Sequence, residues 1–333
     1  MLKIKKTIAI LLVISFGIAC IIFQKSVQSS IINAIDRCIY TLIPSLFAMT
    51  VFSSVIAKSG VFAKLSFLFP TKAEISQAYI FSNIGGYPIG AKMLKDSVDS
   101  GKLSRKEASE ALSFCYASGP AFSVGIIGKA LFSSSIIGLC AFIAVFLVNL
   151  TLYIIYAIKN RCKGIQPYKN INFSTSDIVD SVADASRAMV KICSMVLLFA
   201  AIQGVIDSMI TYDKLFYFTP LLDITNISDV KNIGFESACV YLSFGGICVI
   251  MQLCAIIGNG FSMKPFFVML LVRLPLTCLF AYLINLLIER NALEAFAKFS
   301  FSQSKSVVPL VCMLAMIMIA LSKKEKRPNV SSA

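Results

Sequence analysis

Histidine is absent from the 333 residues, and the eleven cysteines include no Cys-x-x-Cys pair. A zinc site would need distant thiolates or carboxylates, so the sequence predicts no metal and no other cofactor. The chain also lacks the G-x-x-x-x-G-K-[ST] motif of ATP-hydrolysing proteins and the G-x-S-x-G motif of serine hydrolases. No close carboxylate pair falls within an apolar run. We therefore expect a protein that is not an enzyme.

Charged residues are scarce as well. They make up 14% of the chain, whereas hydrophobic residues make up 57%, far from the averages of soluble domains. Several runs approach the ~20 apolar residues that a helix needs to cross a bilayer. These runs are continuous and do not alternate as the strands of a membrane β-barrel do. The composition predicts an all-α polytopic membrane protein.

The net charge of +14 is concentrated in basic clusters between the apolar runs. The preference of Lys and Arg for cytoplasmic loops explains such clusters, so we expect contact with membrane lipids and no nucleic-acid partner. Two basic, cytoplasmic tails require an even number of spans, and the first apolar run is expected to be a retained signal-anchor helix. The predicted spans are 7–24, 38–57, 75–94, 136–158, 188–208, 234–258, 265–288 and 306–322.

Two of these eight spans contain a Gly-Gly pair, Gly85-Gly86 and Gly245-Gly246. A helix broken at membrane depth exposes backbone groups that lipid cannot satisfy, so protein or a water-filled cavity must meet them. Two breaks at corresponding positions of two halves are typical of a transporter's substrate site. The predicted substrate-binding residues are Ser82, Asn83, Gly85, Gly86, Lys92, Ser118, Gly119, Ser243, Gly245, Gly246, Gln252 and Arg273.

The two halves can be aligned beyond the glycines, with 34–56 over 184–206. The predicted topology gives the halves opposite directions, as in inverted-repeat transporters. Residues 104–132, interrupted by Gly119-Pro120, are expected to form a re-entrant hairpin. The 209–233 loop, which contains several aspartates, is expected outside. The predicted segments are an anchor helix at 1–30, a first repeat at 31–158, a basic cytoplasmic linker at 159–176, a second repeat at 177–290, and a span with a basic tail at 291–333.

Each polar candidate has a functional and a structural interpretation. Lys92 adds a positive charge for an anionic substrate, or it snorkels to the membrane interface. Gln252 binds substrate, or it forms an interhelical hydrogen bond. Arg273 is a counter-ion for substrate or for Glu236, or it snorkels from near the cytoplasmic end. Glu236 couples transport to an ion, or it is an interfacial carboxylate at a helix N-terminus.

The residues around the breaks also carry a family resemblance. Gly-Tyr-Pro-Ile-Gly-Ala-Lys at 86–92 and Ala-Ser-Gly-Pro-Ala-Phe at 117–122 are the most specific strings, and weaker ones lie at 42–47, 101–104 and 243–246. With these strings the chain resembles the YlbJ-type sporulation integral membrane proteins of Firmicutes. That family carries the gate, or nucleoside-recognition, module, which would occupy the two repeats.

The resemblance implies transport of a small anionic or aromatic solute, dipicolinic acid first, from the mother cell towards the forespore. It also implies a place in the outer forespore membrane, with other sporulation membrane proteins or a second copy of the chain as partners. Two alternatives stay open. One is a non-transporting scaffold for assembly of the spore envelope, and the other is a paralogous transporter of another carboxylate or of a nucleoside-like solute.

Overall fold

The computed structural model describes residues 2–59, 70–160, 174–209, 217–230 and 232–289, and within these ranges every regular element is helical. The chain divides into two compact units, Met1–Leu286 and Leu287–Ala333, and the site described below lies in the first. The α-helices are α1 (Leu2–Ile22), α2 (Gln24–Arg37), α3 (Ile43–Ser59), α4 (Ala73–Gly85), α5 (Tyr87–Asp99), α6 (Arg105–Ala111), α7 (Pro120–Phe122), α8 (Ser135–Lys159), α9 (Thr175–Met209), α10 (Thr219–Leu222), α11 (Phe235–Phe244), α12 (Gly246–Ile257) and α13 (Lys264–Glu289).

Three short elements of other helix types complete the described chain. A π-helix, Cys38–Leu42, joins α2 to α3, and a second π-helix, Ser123–Leu131, continues α7. A 3-10 helix, Ile224–Asp229, follows α10 and begins with Asp223 as its N-cap. Because π- and 3-10-helices are unusual in long runs and frequent near functional sites, these elements direct attention to the regions around them.

Four helical runs in the described ranges are long and apolar enough to cross a membrane: Ser135–Lys159, Thr175–Met209, Phe235–Ile257 and Lys264–Ile288. A fifth span results if the pair Ile10–Ile22 and Gln24–Tyr40 is counted as one, although that pair is bent by 96°. An integral membrane protein with four or five candidate spans is therefore established.

The remaining predicted spans have different outcomes. Residues 306–322 lie outside the described ranges. The prediction at 38–57 falls on the first π-helix and α3, of which Leu46–Ser59 is a short apolar helix. The prediction at 75–94 falls on α4 and α5, each 13 residues long. Each is about 20 Å in length at 1.5 Å per residue, too short to cross a hydrocarbon core of about 30 Å alone. The count of eight spans and the inverted repeat stay predictions.

Residues 104–132 form two helical pieces with a non-helical stretch between them. Ser104 and Glu107 make a capping box that starts α6, which satisfies two backbone donors at the helix end. The chain then runs without regular structure through 115–119 and restarts at Pro120, whose missing N–H suits a first helical position. The second piece, α7 with its π-helical continuation, packs mainly along α8. Gly119 therefore lies at the start of the second piece, and the re-entrant hairpin at 104–132 stays a prediction.

Candidate functional site

The first helix break packs against the backbone of Gly119 in the 104–132 segment. Gly86 lies between α4 and α5 with φ of +101°, a conformation that only glycine adopts readily. A Cβ atom built on Gly119 would lie 3.1 Å from the carbonyl oxygen of Ile84 and 3.3 Å from the amide nitrogen of Gly86. The two backbones therefore touch with no side chain between them.

The second break makes a similar backbone contact with the start of the 3-10 helix. Gly245 and Gly246 have φ values of +78° and +83°, and α11 ends and α12 begins at this pair. A Cβ atom on Gly246 would lie 3.0 Å from the amide nitrogen of Ile224 and 3.1 Å from the carbonyl oxygen of Pro220. Each Gly-Gly pair thus packs against the backbone of one other segment.

A cavity of about 260 Å³ lies beside these contacts. The first break, residues 119–122, residues 223–225 and α12 surround it, together with parts of α3 and α9. Among the predicted substrate-binding residues, Gly85, Gly86, Gly119 and Gln252 line this cavity. Its volume is just below the ~300–1,000 Å³ typical of small-molecule sites, so it fits a small ligand. Apolar side chains form most of the wall, including Leu46, Met49, Ile84, Ile192, Val196 and Val249.

Two helical segments begin at the cavity wall. One is α5, which starts at Tyr87 and Pro88, and the other starts at Pro120 after the N-cap Gly119. The first amides of a helix have no partner within the helix, and the helix dipole places partial positive charge there. Such ends favour ligand groups that accept hydrogen bonds, carboxylates and phosphates among them.

Three polar side chains complete the lining: Asp223, Thr225 and Gln252. Asp223 is only 6% exposed, and its Oδ1 accepts a hydrogen bond from the amide of Thr225 over 2.9 Å. Gln252 is also 6% exposed, and its Nε2 donates to the sulfur of Cys248 over 3.4 Å. Among the described residues, the lining therefore offers one carboxylate and no basic side chain.

Comparison with known proteins does not place this chain. No protein-family model matches it, and neither a curated protein nor a solved structure does. A helical protein with four or five candidate membrane spans is what is established. The resemblance to sporulation membrane proteins stays a prediction from the sequence strings.

Arg273 does not line the cavity; it joins four elements around the breaks. The side chain is 1% exposed. Its Nε donates to Ser243 Oγ over 2.9 Å, and its Nη2 donates to the carbonyl oxygen of Tyr116 over 2.6 Å. Its Nη1 donates to the carbonyl oxygen of Ser113 over 3.1 Å and to Asn149 Oδ1 over 2.6 Å. All four acceptors are neutral, so the guanidinium acts here as a multiple hydrogen-bond donor.

The carbonyl end of α11 receives donors from three different parts of the chain. A helix that stops leaves its last carbonyl oxygens without intrahelical partners. The Tyr87 hydroxyl donates to the carbonyl of Leu242, and the Tyr116 hydroxyl donates to that of Phe244 over 2.6 Å. Arg273 Nε reaches the intervening carbonyl of Ser243 at 3.3 Å. Protein groups therefore meet the backbone acceptors exposed by the second break.

The predicted polar residues beside the breaks bind protein groups instead of facing the cavity. Asn149 Nδ2 donates to Asn83 Oδ1 over 2.9 Å, which extends the Arg273 cluster to α4. The Ser82 hydroxyl donates to the carbonyl of Tyr79 over 2.8 Å, and the Ser118 hydroxyl lies 3.0 Å from that of Ser123. Ser243 bonds to Arg273, as described. These side chains therefore stabilise the backbone conformation at the breaks and do not line the cavity.

The remaining two charged candidates are also placed elsewhere. Lys92 forms an ion pair with Asp96 at 2.6 Å, one turn along α5, so its charge is already neutralised by a carboxylate. Glu236 lines a second, more open cavity of about 440 Å³ and accepts a hydrogen bond from Asn285 over 2.9 Å. Arg273 and Glu236 do not form the ion pair that the sequence left open.

Sequence reasoning missed Asp223 and both tyrosines. Asp223 was expected in an outer loop, but it is buried against the second break. The signal available for it was the apolar character of its neighbours, Leu221, Leu222 and Ile224, which is unusual in an exposed loop. Nothing local distinguished Tyr116, because its role depends on a helix more than a hundred residues later.

Proposed function

We propose that this protein moves a small solute with a carboxylate and an aromatic or otherwise apolar body across the membrane. The observation that carries the proposal is the cavity bounded by the first helix break and by the segment against which the second break packs. Broken helices around a cavity at membrane depth are the usual construction of a transporter's substrate site. A scaffold has no comparable need for a ligand-sized cavity at this point.

The lining favours a flat solute with an apolar ring face and acceptor groups at its edge. The wall is apolar over most of its area, which suits an aromatic ring, and the starts of α5 and of the segment at Pro120 supply backbone donors. Dipicolinic acid, an aromatic ring with two carboxylates, has this character and is the solute that the family resemblance implies. We place it first among the candidate substrates.

The finer architecture belongs to the same proposal. In it, eight spans form an inverted repeat, with Gly86 and Gly119 as the meeting point of one half and Gly246 with Asp223 and Ile224 as that of the other. The similar backbone contact at each break supports this arrangement. The protein would act during sporulation in the outer forespore membrane, with other sporulation membrane proteins or a second copy as neighbours.

The test is the dipicolinate content of sporulating cells that lack the gene, measured separately in mother-cell and forespore fractions. We expect dipicolinate to be made normally and to accumulate in the mother cell. Normal dipicolinate in the forespore would overturn this assignment and leave a scaffold or a transporter of another solute. Restoration of delivery by the wild-type gene is the control for effects on synthesis.

A further inference from the structure

Asp223 is a buried carboxylate in the wall of the cavity, and no ion pair involves it within the part of the chain that the structure describes. Its side chain is 6% exposed and lines the cavity. Its Oδ1 accepts a hydrogen bond from the amide of Thr225 over 2.9 Å. Among the described residues, no Lys or Arg nitrogen lies within 4.0 Å of the carboxylate.

A cation, Arg37, binds two other residues of the 3-10 helix that follows Asp223. Arg37 Nη1 donates to Asn226 Oδ1 over 2.9 Å and lies 3.4 Å from Thr225 Oγ1. Its Nε is buried without a partner. Arg37 therefore stabilises the 3-10 helix and leaves the carboxylate at its start unpaired.

The other ionisable groups on the packed elements do not compensate the charge either. Cys248 on α12 lies within hydrogen-bonding reach of Asp223, and Cys38 on the first π-helix is close enough to be affected by its charge. Lys129, on the π-helix that packs against this turn, is exposed, and Glu236 on α11 bonds to Asn285. Cys248 accepts a hydrogen bond from Gln252, and both Gln252 and Asp223 line the cavity.

We infer that Asp223 carries the proton that accompanies an anionic substrate through the cavity. The inference rests on the proposed function. An anion beside an ionised Asp223 would meet a like charge in an apolar cavity, whereas a neutral carboxylic acid can donate a hydrogen bond to the anion's oxygen. The carboxylate takes one proton from water on the entry side, and the same proton returns to water on the exit side. No electron or further bond changes hands.

This inference transfers the coupling role from Glu236 to Asp223. Glu236 faces the second cavity, while Asp223 lies in the wall that an anion would touch. A purely structural role for Asp223 is the competing explanation, because it also caps the 3-10 helix. Asp223→Asn separates the two roles, since asparagine is an equally good N-cap but its amide cannot take up a proton near neutral pH.

The experiment measures the plateau of dipicolinate accumulation in proteoliposomes, with the membrane potential held at zero and an inward gradient of one pH unit. If one proton enters with each dipicolinate, the concentration inside should reach about ten times that outside. At that ratio the ten-fold substrate gradient balances the ten-fold gradient of proton activity. We expect wild type and Asp229→Asn, an exposed carboxylate of the same turn, to approach this ratio. With Asp223→Asn, the dipicolinate concentrations inside and outside should become equal, however slowly the variant transports it.

Each outcome decides between the two roles. A plateau for Asp223→Asn equal to that of wild type, reached slowly or quickly, would overturn the coupling role and leave only the cap. Absence of any dipicolinate movement by wild type would overturn the proposed function.

A second measurement needs no substrate: dicyclohexylcarbodiimide adds to protonated carboxyl groups in apolar sites. Labelling of Asp223 in the purified protein, rising as pH falls, is expected; no labelling from pH 8 to pH 5 would overturn the inference.

Discussion

Arg273 donates its Nε–H to the hydroxyl of Ser243 over 2.9 Å, and this bond joins the last described helix to the carbonyl end of the broken α11. The same guanidinium reaches Tyr116 and, through Asn149, Asn83 beside the first break. One buried side chain therefore links both helix breaks from behind the cavity. Because these acceptors are buried and would lose a donor in an apolar interior, the link is expected to be structural first.

The first prediction concerns this link. Arg273→Met removes the hydrogen bonds that the guanidinium donates to five buried acceptor atoms. It should lower the free energy of unfolding by about 3–5 kcal/mol. In detergent this corresponds to a fall in melting temperature of roughly 10 °C. Since the chain contains no tryptophan but has buried cysteines, a thiol-reactive dye is the suitable readout. Arg187→Met, on an exposed side chain, is the matched control, and equal stability of the two variants would contradict the structural role.

The second prediction concerns the glycines at the breaks. Gly86→Leu and Gly246→Leu should abolish dipicolinate transport, because both glycines have positive φ, which a leucine adopts only with strain. At Gly246 the added Cβ would also lie 3.0 Å from the amide nitrogen of Ile224. Membrane abundance should stay near that of wild type. Gly17→Leu is the control, since a Cβ there meets nothing within 4 Å on an exposed face of α1. Full transport by both break variants would show that the broken helices do not form the site.

The third prediction tests the donors at the second break. Tyr116→Phe keeps the ring but removes the hydroxyl that donates to the carbonyl of Phe244. Leaving that buried acceptor unpaired should cost about 1–3 kcal/mol of stability. Tyr282→Phe, at a side chain that is 53% exposed, should change stability by less than about 0.5 kcal/mol. Melting temperatures of the two variants make the comparison, and no difference between them would sink the idea that Tyr116 supports the break.

The fourth prediction concerns pH and a site outside the candidate spans. Burial acts to raise the pKa of Glu107, but its ion pair with Lys72 at 2.7 Å and its bonds to Ser104 outweigh this, so its pKa lies below the usual 4.5. A depressed folded pKa stabilises the protein above the unfolded pKa, and this stabilisation is lost as pH falls through the folded value.

Glu107→Gln should therefore melt at a lower temperature than wild type at pH 7, and the two should converge below pH 4.5. Glu110→Gln is the control on the same helix, because the Glu110 side chain makes no ion pair within the described ranges. A difference between Glu107→Gln and wild type that did not shrink on acidification would contradict the ionic origin of the stabilisation.

The parts of the site that could be predicted are those set by local backbone chemistry. Gly85-Gly86, Gly119-Pro120 and Gly245-Gly246 interrupt helices wherever they occur, since glycine tolerates positive φ and proline cannot continue a helix ladder. Their positions inside apolar runs indicated breaks at membrane depth. The structure brings the first two, with Gln252, into the wall of one cavity.

The charged residues could not be assigned in the same way. Lys92 and Arg273 were candidates because of their position in apolar surroundings, yet the partner of a charge depends on which helix lies next to it. Lys92 forms an ion pair with Asp96 one turn away. Arg273 donates hydrogen bonds to neutral acceptors in distant segments. Sequence spacing gave no means of choosing between these partners and a substrate.

The amino-acid sequence by itself determined that this is a helical membrane protein and where its helices break, because apolar length, glycine and proline act within a few residues of themselves. Only the tertiary structure decided that Asp223 lies in the cavity and Arg273 behind it. Both outcomes depend on burying segments far apart in the chain against one another. Whether a carboxylate lies in a solvated loop or in a cavity depends on the segments that surround it. For Asp223, α12 and the backbone at Gly119 help to form that cavity.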